Sequence, residues 1–123
     1  MNGGQKYLVN AFSLNMIRIE RDIELKMNIR RIDIREFGEL LRTGGVVNAI
    51  GHQGMIDLIN TLFNTDFKMN RIEVRLQDGD ELLLIQVRMR LPEGRVLNKE
   101  ELNELLGKGL IEFYHIRIGI RDD

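Results

Sequence analysis

One of only two histidines in the chain, His52, stands in "VVNAIGHQGMIDLIN" (46–60), between a short apolar run and a helical repeat. An imidazole at such a junction can be a satisfied structural group, a metal ligand, an anion contact or a proton donor. Gly51 and Gly54 on either side permit a tight turn and a close backbone approach. A helix starting near Gly54 would aim free amide N–H groups at the loop that carries the ring, where an anion is favoured. The other histidine, His115, falls in a β-prone run. No second His or Cys lies at ligand spacing from His52, so no metal is expected. In "IQVRMRLPEGRV" (85–96), Arg88 and Arg90 share strand parity and should project to one face, just before a Pro-Glu-Gly turn. That face either meets an anion or is the wet side of an edge strand. In "NAFSLNM" (10–16) an apolar strand ends in Asn10, Ser13 and Asn15. These small polar groups suit sugar hydroxyls or phosphate oxygens, and suit equally the local backbone of a strand exit.

The elements that must hold these residues are short and interleaved. "YLVNAF" (7–12), "VVNAI" (46–50) and "LIEFYHIRIGI" (110–120) read as strands. "RIEVRL" (71–76) and "ELLLIQVRM" (81–89) flank "QDGD", whose Asp-Gly pair predicts a β-hairpin. "IERDIELKMNIRRIDI" (19–34) alternates apolar and charged residues over part of its length, as a ribbon with one wet face does. "IREFGELLRTGG" (34–45) sets Ile34, Phe37, Leu40 and Leu41 on one helical face and stops at paired glycines. Ile56, Ile59, Leu62 and Phe63 recur at three and four, predicting a core-facing helix over 54–63. "NKEELNELLGKG" (98–109) predicts a third helix, with Asn98 as N-cap, Glu101 completing a capping box and Gly107 or Gly109 closing it. The expectation is one α+β (mixed α/β) domain over 1–123, with a central mixed sheet of about five strands flanked by helices.

Composition narrows the function classes. The 123 residues hold no cysteine, which removes disulfides, thiolate nucleophiles and thiolate zinc sites. No window approaches the 18 or so apolar residues of a membrane span, and "MNGGQKYLVNAF" (1–12) lacks the features of a secretion signal. A cytoplasmic protein without membrane contact is expected. Eighteen Lys and Arg against nineteen Asp and Glu give a formal net charge of −1. Duplex nucleic acid is therefore not an expected partner, and any bound anion must be met locally.

Taken in order, "NAFSLNM", "NAIGH" leading into "IDLINTLF", "NRIEV", and "IQVRMRL" with "EG" following resemble the viral anti-CRISPR ring nucleases of type III defence and their bacterial and phage relatives. The resemblance spans about residues 6–116. It implies a small homodimer that binds cyclic tetra-adenylate at the dimer interface and cuts it without a metal ion or cofactor. By resemblance His52 is the catalytic histidine, Glu93 the carboxylate supporting it, Arg90 the phosphate-binding arginine, and Ser13 the hydroxyl that helps hold the reacting nucleotide. Asn10, Asn15, Arg71 and Gln86 match ligand-contacting positions. The chain departs from that pattern at Gly54 and Met55, where small hydroxyl residues are common, at Pro92, which replaces an acidic residue, and at Arg88, where a small polar residue is frequent. At Gly54 a backbone N–H would stand in for the missing hydroxyl.

The implied chemistry is self-consistent. A ribose 2′-hydroxyl can attack the adjacent phosphorus in line once positioning is supplied, with no water or metal nucleophile. What remains is a proton for the departing 5′-oxygen, which an imidazolium can give, and a charged fork for the phosphoryl oxygens, which Arg90 can give. The products would be linear di-adenylates with 2′,3′-cyclic phosphate ends. A ring of four identical nucleotides contains a two-fold axis, which fits a symmetric dimer. Two alternatives share the residues: a non-catalytic cyclic-nucleotide sponge or receptor, and a small dimeric nucleic-acid-binding regulator. A proton donor beside a carboxylate favours the enzyme, since binding alone needs only the arginines.

Overall fold

A computed structural model describes residues 4–122; the first three residues of the N-terminal stretch read above for targeting signals lie outside them. The elements run β1 (Lys6–Val9), a 3-10 turn (Leu14–Met16), β2 (Ile23–Ile32), α1 (Ile34–Arg42), β3 (Val46–Asn48), α2 (Gln53–Phe63), β4 (Glu81–Val87), α3 (Lys99–Gly107) and β5 (Ile111–Asp122). The five strands form one mixed sheet in the order β2-β5-β4-β1-β3. β1 runs parallel to both β3 and β4, while β5 is antiparallel to β2 and β4. The α+β expectation is met.

Each helix follows its sequence signals. The Asp33 carboxylate accepts from Glu36 N at the start of α1, and Asn98 and Glu101 form the expected capping box on α3. Phe37, Leu41, Ile56, Ile59, Leu62 and Phe63 bury the apolar faces of α1 and α2 against Leu83, Ile85 and Phe113. Leu102 of α3 joins the same core. All three helices thus cover one face of the sheet. The opposite face is packed by irregular chain: Ile17 from one segment, Val74 and Leu76 from another, over Val9, Leu82, Leu84, Ile116 and Ile118. Towards its β2 edge this second face is only partly covered, with Leu25, Met27 and Ile120 half-buried and Ile29 exposed at 58%.

The expected hairpin between 71–76 and 81–89 does not form. Both edges of β4 are occupied, by β1 on one side and β5 on the other, so no ladder position is left for the preceding segment. The Asp-Gly pair still turns the chain: Gly79 has φ 90°, Asp80 N donates to Gln77 O at 3.0 Å, and the buried Asp80 carboxylate accepts from Gln77 N and Gln5 N. Residues 71–76 instead cross beneath the sheet as irregular chain, with Leu76 N donating to Met16 O at 2.7 Å. The shared strand parity of Arg88 and Arg90 also fails. The β4–β5 ladder ends at Val87 opposite Ile111, and Arg90 lies in the loop beyond.

Candidate functional site

The C-terminal ends of β1 and β4, the N-terminus of α2 and the loop 88–96 enclose a cleft of about 760 Å³. Asn10, His52, Gly54, Gln86, Arg90 and Glu93 all line it. Six of the nine singled-out residues, scattered from position 10 to position 93, therefore converge. Parallel strands β1 and β4 bring their carboxyl ends together there, the place where open sheets with parallel strands bind ligands.

His52 is the N-cap of α2, which starts at Gln53, one residue earlier than the expected start at Gly54. Its backbone is extended (φ −122°), and its Nδ1 accepts from Met55 N at 3.2 Å. With Nδ1 acting as acceptor, the proton of the neutral ring sits on Nε2, the nitrogen left to meet a ligand. Gly54 explains the ring's position. A Cβ there would lie 3.0 Å from His52 Cε1 and 3.3 Å from Nδ1, so glycine lets the imidazole fold back over the first turn.

Arg90 and Glu93 sit on the loop after β4, with Arg90 NH2 and Glu93 Oε1 3.5 Å apart and both side chains nearly fully exposed. An ion pair this exposed contributes little to stability. The loop is anchored around them. Leu91 packs against the helix-side core, Leu97 is buried, and Arg95 NH1 donates to Glu101 Oε2 at 2.7 Å, which ties the loop to the capping box of α3. Asn98 N and Arg95 together hold the Glu101 carboxyl below its usual range. Gly94, at φ 69°, takes the left-handed conformation that turns the loop back.

Three of the singled-out residues fall outside the cleft lining. Ser13 caps the 3-10 turn, its Oγ accepting from Asn15 N at 3.2 Å, and Asn15 O accepts from Arg75 NH1 at 2.8 Å. Both are exposed at a strand exit; the Ser13 side chain serves the local backbone, and Asn15 is tied through its carbonyl to the segment that carries Arg75. Arg71 lies one step from the cleft: its Nε donates to Gly51 O at 3.1 Å, and a Cβ on residue 51 would overlap its Cγ. It braces the loop that carries His52. Three lining residues with polar side chains were not singled out by the sequence: Gln53, Asp57 and Arg95. Gln53 Nε2 donates to Asp57 Oδ1 at 2.8 Å, an i,i+4 pair that "QGMID" could have signalled. Among the described residues no three His, Asp or Glu side chains gather as a metal site.

Around the end of the sheet from the cleft lies a second polar cluster. Glu112, 8% exposed, sits opposite Gln86 in the β4–β5 register. Its Oε1 accepts from Arg88 Nε at 2.9 Å and from the Tyr114 hydroxyl at 3.0 Å, while Oε2 lies 3.5 Å from Arg31 NH2. Burial pushes this carboxyl up. The donations from Tyr114 and Arg88 and the charges of Arg88 and Arg31 together outweigh it, holding the group below the usual carboxylate range. A carboxyl depressed in the folded state stabilises the fold above its unfolded value of about 4.3 and loses that contribution as pH falls through the folded value. Glu112→Gln should therefore lower the melting temperature at pH 7, and the gap to wild type should narrow below about pH 4. Thermal melts between pH 7 and pH 3 check this; a constant gap would contradict it.

A family model described as STIV B116-like matches residues 6–115. The ORF116 protein of Acidianus filamentous virus 1 is 40% identical over 91% of this chain and 94% of its own. Protein 26 of Sulfolobus islandicus filamentous virus is 32% identical over 82% and 83%. Among solved structures, B116 of Sulfolobus turreted icosahedral virus superposes with a TM-score of 0.80 at 39% identity, covering 92% of this chain and 98% of that one. Sequence, fold and relatives agree: the chain belongs to the STIV B116-like family of archaeal viruses.

Proposed function

We propose that this viral protein is a metal-independent ring nuclease that opens cyclic tetra-adenylate, and so blunts type III CRISPR defence. The observation that carries the reading is the convergence of His52, Arg90, Glu93, Asn10, Gln86 and Gly54 on one cleft at the carboxyl ends of β1 and β4. Arg90 offers a planar charged fork to phosphoryl oxygens. The amide N–H groups at the start of α2 add donors beside it. The ribose 2′-oxygen attacks phosphorus and gives up its proton to solvent, the bond to the 5′-oxygen breaks, and His52 delivers the proton that the leaving oxygen needs.

The cap gives Glu93 a specific part. An imidazolium carries hydrogen on both nitrogens, so protonating Nδ1 forfeits the bond from Met55 N–H. Glu93, a lining residue on a loop that turns at Gly94, is the carboxylate that would accept the new Nδ1–H as the loop closes over ligand. Its partner in the ligand-free arrangement, Arg90, would turn to phosphate at the same time. The reaction is placed in a homodimer. The half-buried Leu25, Met27 and Ile120, towards the end of β2 and β5 far from Arg31, are the apolar surface a two-fold partner would cover in bringing two clefts to one ring.

Cyclic tetra-adenylate incubated with the protein in excess chelator should yield linear di-adenylates with 2′,3′-cyclic phosphate ends, separable by chromatography. A six-membered ring should be cut poorly, because it fits the two-fold arrangement badly. Strict dependence on a divalent ion would sink the mechanism. One observation favours the sponge reading instead: His52 Nδ1 is engaged as a helix cap, a structural role that binding without proton transfer leaves undisturbed. Tight binding of intact ring with no product would decide for the sponge.

A further inference from the structure

The cluster of Arg31, Arg88, Glu112 and Tyr114 lies at the same end of the sheet as the cleft, and the reaction proposed above gives it no part. Its construction is asymmetric. Glu112 is buried and each of its oxygens already has a partner, whereas Arg88 and Arg31 are 51% and 63% exposed at the side chain. Arg88 commits Nε to the carboxylate, which fixes the plane of the guanidinium and leaves donor capacity at its solvent end. Two guanidiniums on one covered carboxylate present net positive charge outward. Arg88 is also fixed at its backbone, with N donating to Leu110 O at 2.8 Å, so the fork stands at the anchored start of the loop, one residue past the ladder.

The position matters as much as the charge. Val87 and Met89, on either side of Arg88, both line the cleft, as does Gln86, whose ladder partner is Glu112. Arg31, opposite Tyr114 on β2, shares the face that the helices leave bare. Within the cleft itself the charged residues balance: His52 aside, Arg90 and Arg95 face Asp57 and Glu93, and Arg95 is spent on Glu101. An oligonucleotide with several phosphates needs more cation than Arg90 supplies.

We infer that Arg88 and Arg31, preorganised on buried Glu112, form a second phosphate site around the end of the sheet from the cleft, holding a phosphodiester one or more nucleotides away from the one at Arg90. The inference rests on the oligoadenylate reading of the cleft but not on cleavage. Arg88 selects for length. A ligand with enough phosphates reaches both Arg90 and Arg88, and a dinucleotide reaches only one.

The test is titration of cyclic tetra-adenylate, linear tetra-adenylate and linear di-adenylate into the full chain by calorimetry, at several salt concentrations. Wild type, Arg88→Gln, Arg88→Lys and Arg31→Gln are compared. Arg88→Gln leaves Glu112 its Tyr114 and Arg31 partners, and a thermal melt reports whether the fold is kept. The expected result is a roughly tenfold loss of affinity for both tetra-adenylates, the worth of one hydrogen bond to a charged group, with little change for di-adenylate. The slope of log affinity against log salt should fall by about 0.7 for each arginine removed. Arg88→Lys should restore the slope and part of the affinity, since charge returns without the fork. A purely structural arginine would lower the melting point and leave the slope alone, and that outcome overturns the inference. Wild type that binds ring without cutting it, alongside a weakened Arg88→Gln, removes the nuclease reading and supports the second phosphate site. Wild type that binds no oligoadenylate overturns both.

Discussion

Replacing His52 by alanine is expected to slow single-turnover cleavage of cyclic tetra-adenylate by two or more orders of magnitude, within the range of about 10² to 10⁴ for a positioned proton donor. The alanine variant carries a second defect. His52 caps α2, and loss of an N-cap costs about 0.5–2 kcal/mol of stability, so His52→Ala confounds chemistry with folding. His52→Asn separates them. Asparagine is among the best N-cap residues and can accept from Met55 N in the same way, yet it cannot deliver a proton. The expected pattern is a near-native melting temperature, ring affinity largely kept, and a rate as low as that of His52→Ala. Glu93→Gln should lose less, because the carboxylate acts through the ring. Rapid-quench kinetics with calorimetric affinities read both quantities. A His52→Asn protein that cuts at the wild-type rate would show that the proton comes from elsewhere.

Phe37→Ala should be the most destabilising truncation of the helix-side core, costing about 3–5 kcal/mol. Phe37 is fully buried, and its ring centroid lies 4.9 Å from that of Phe113 and 5.5 Å from that of Phe63, which are themselves 5.8 Å apart. The three rings join α1, α2 and β5, so one truncation loosens three elements at once. Against a typical stability of about 5–15 kcal/mol, that loss leaves a marginal fold. Phe37→Leu keeps most of the volume and should cost clearly less. Urea denaturation midpoints for both variants measure the effect. A cost for Phe37→Ala below about 1 kcal/mol would mean that the neighbouring rings collapse into the space.

What could be read from the sequence was what neighbouring residues decide among themselves. The Asn98–Glu101 capping box spans three positions, and the apolar stripes with Phe37 on α1 and Ile56, Ile59 and Phe63 on α2 repeat within single helices, so periodicity and cap chemistry identified them. The Asp-Gly turn at 78–79 was legible for the same reason, but its consequence was not. A turn does not choose a strand's partner: β4 pairs with β1, some 75 residues earlier, and with β5, some 30 later, and that competition excludes the hairpin. The facing of Arg88 and Arg90 was lost likewise, because strand parity lasts only as long as the ladder, which ends at Val87 opposite Ile111. The individual site residues carried weak signals, each with a plain structural alternative. Ser13 caps its own turn and Asn15 takes Arg75 at its carbonyl, while His52, Gln86, Arg90 and Glu93 share a cleft. That convergence was beyond any local reading, since it depends on two parallel strands ending side by side. Only the tertiary structure showed that His52 caps its helix with its ring close over Gly54, and that a carboxylate on β5 holds two arginines from β2 and the end of β4. Contacts between distant segments leave no periodicity in the chain; they exist only once burial of the two faces has fixed which strands lie next to which.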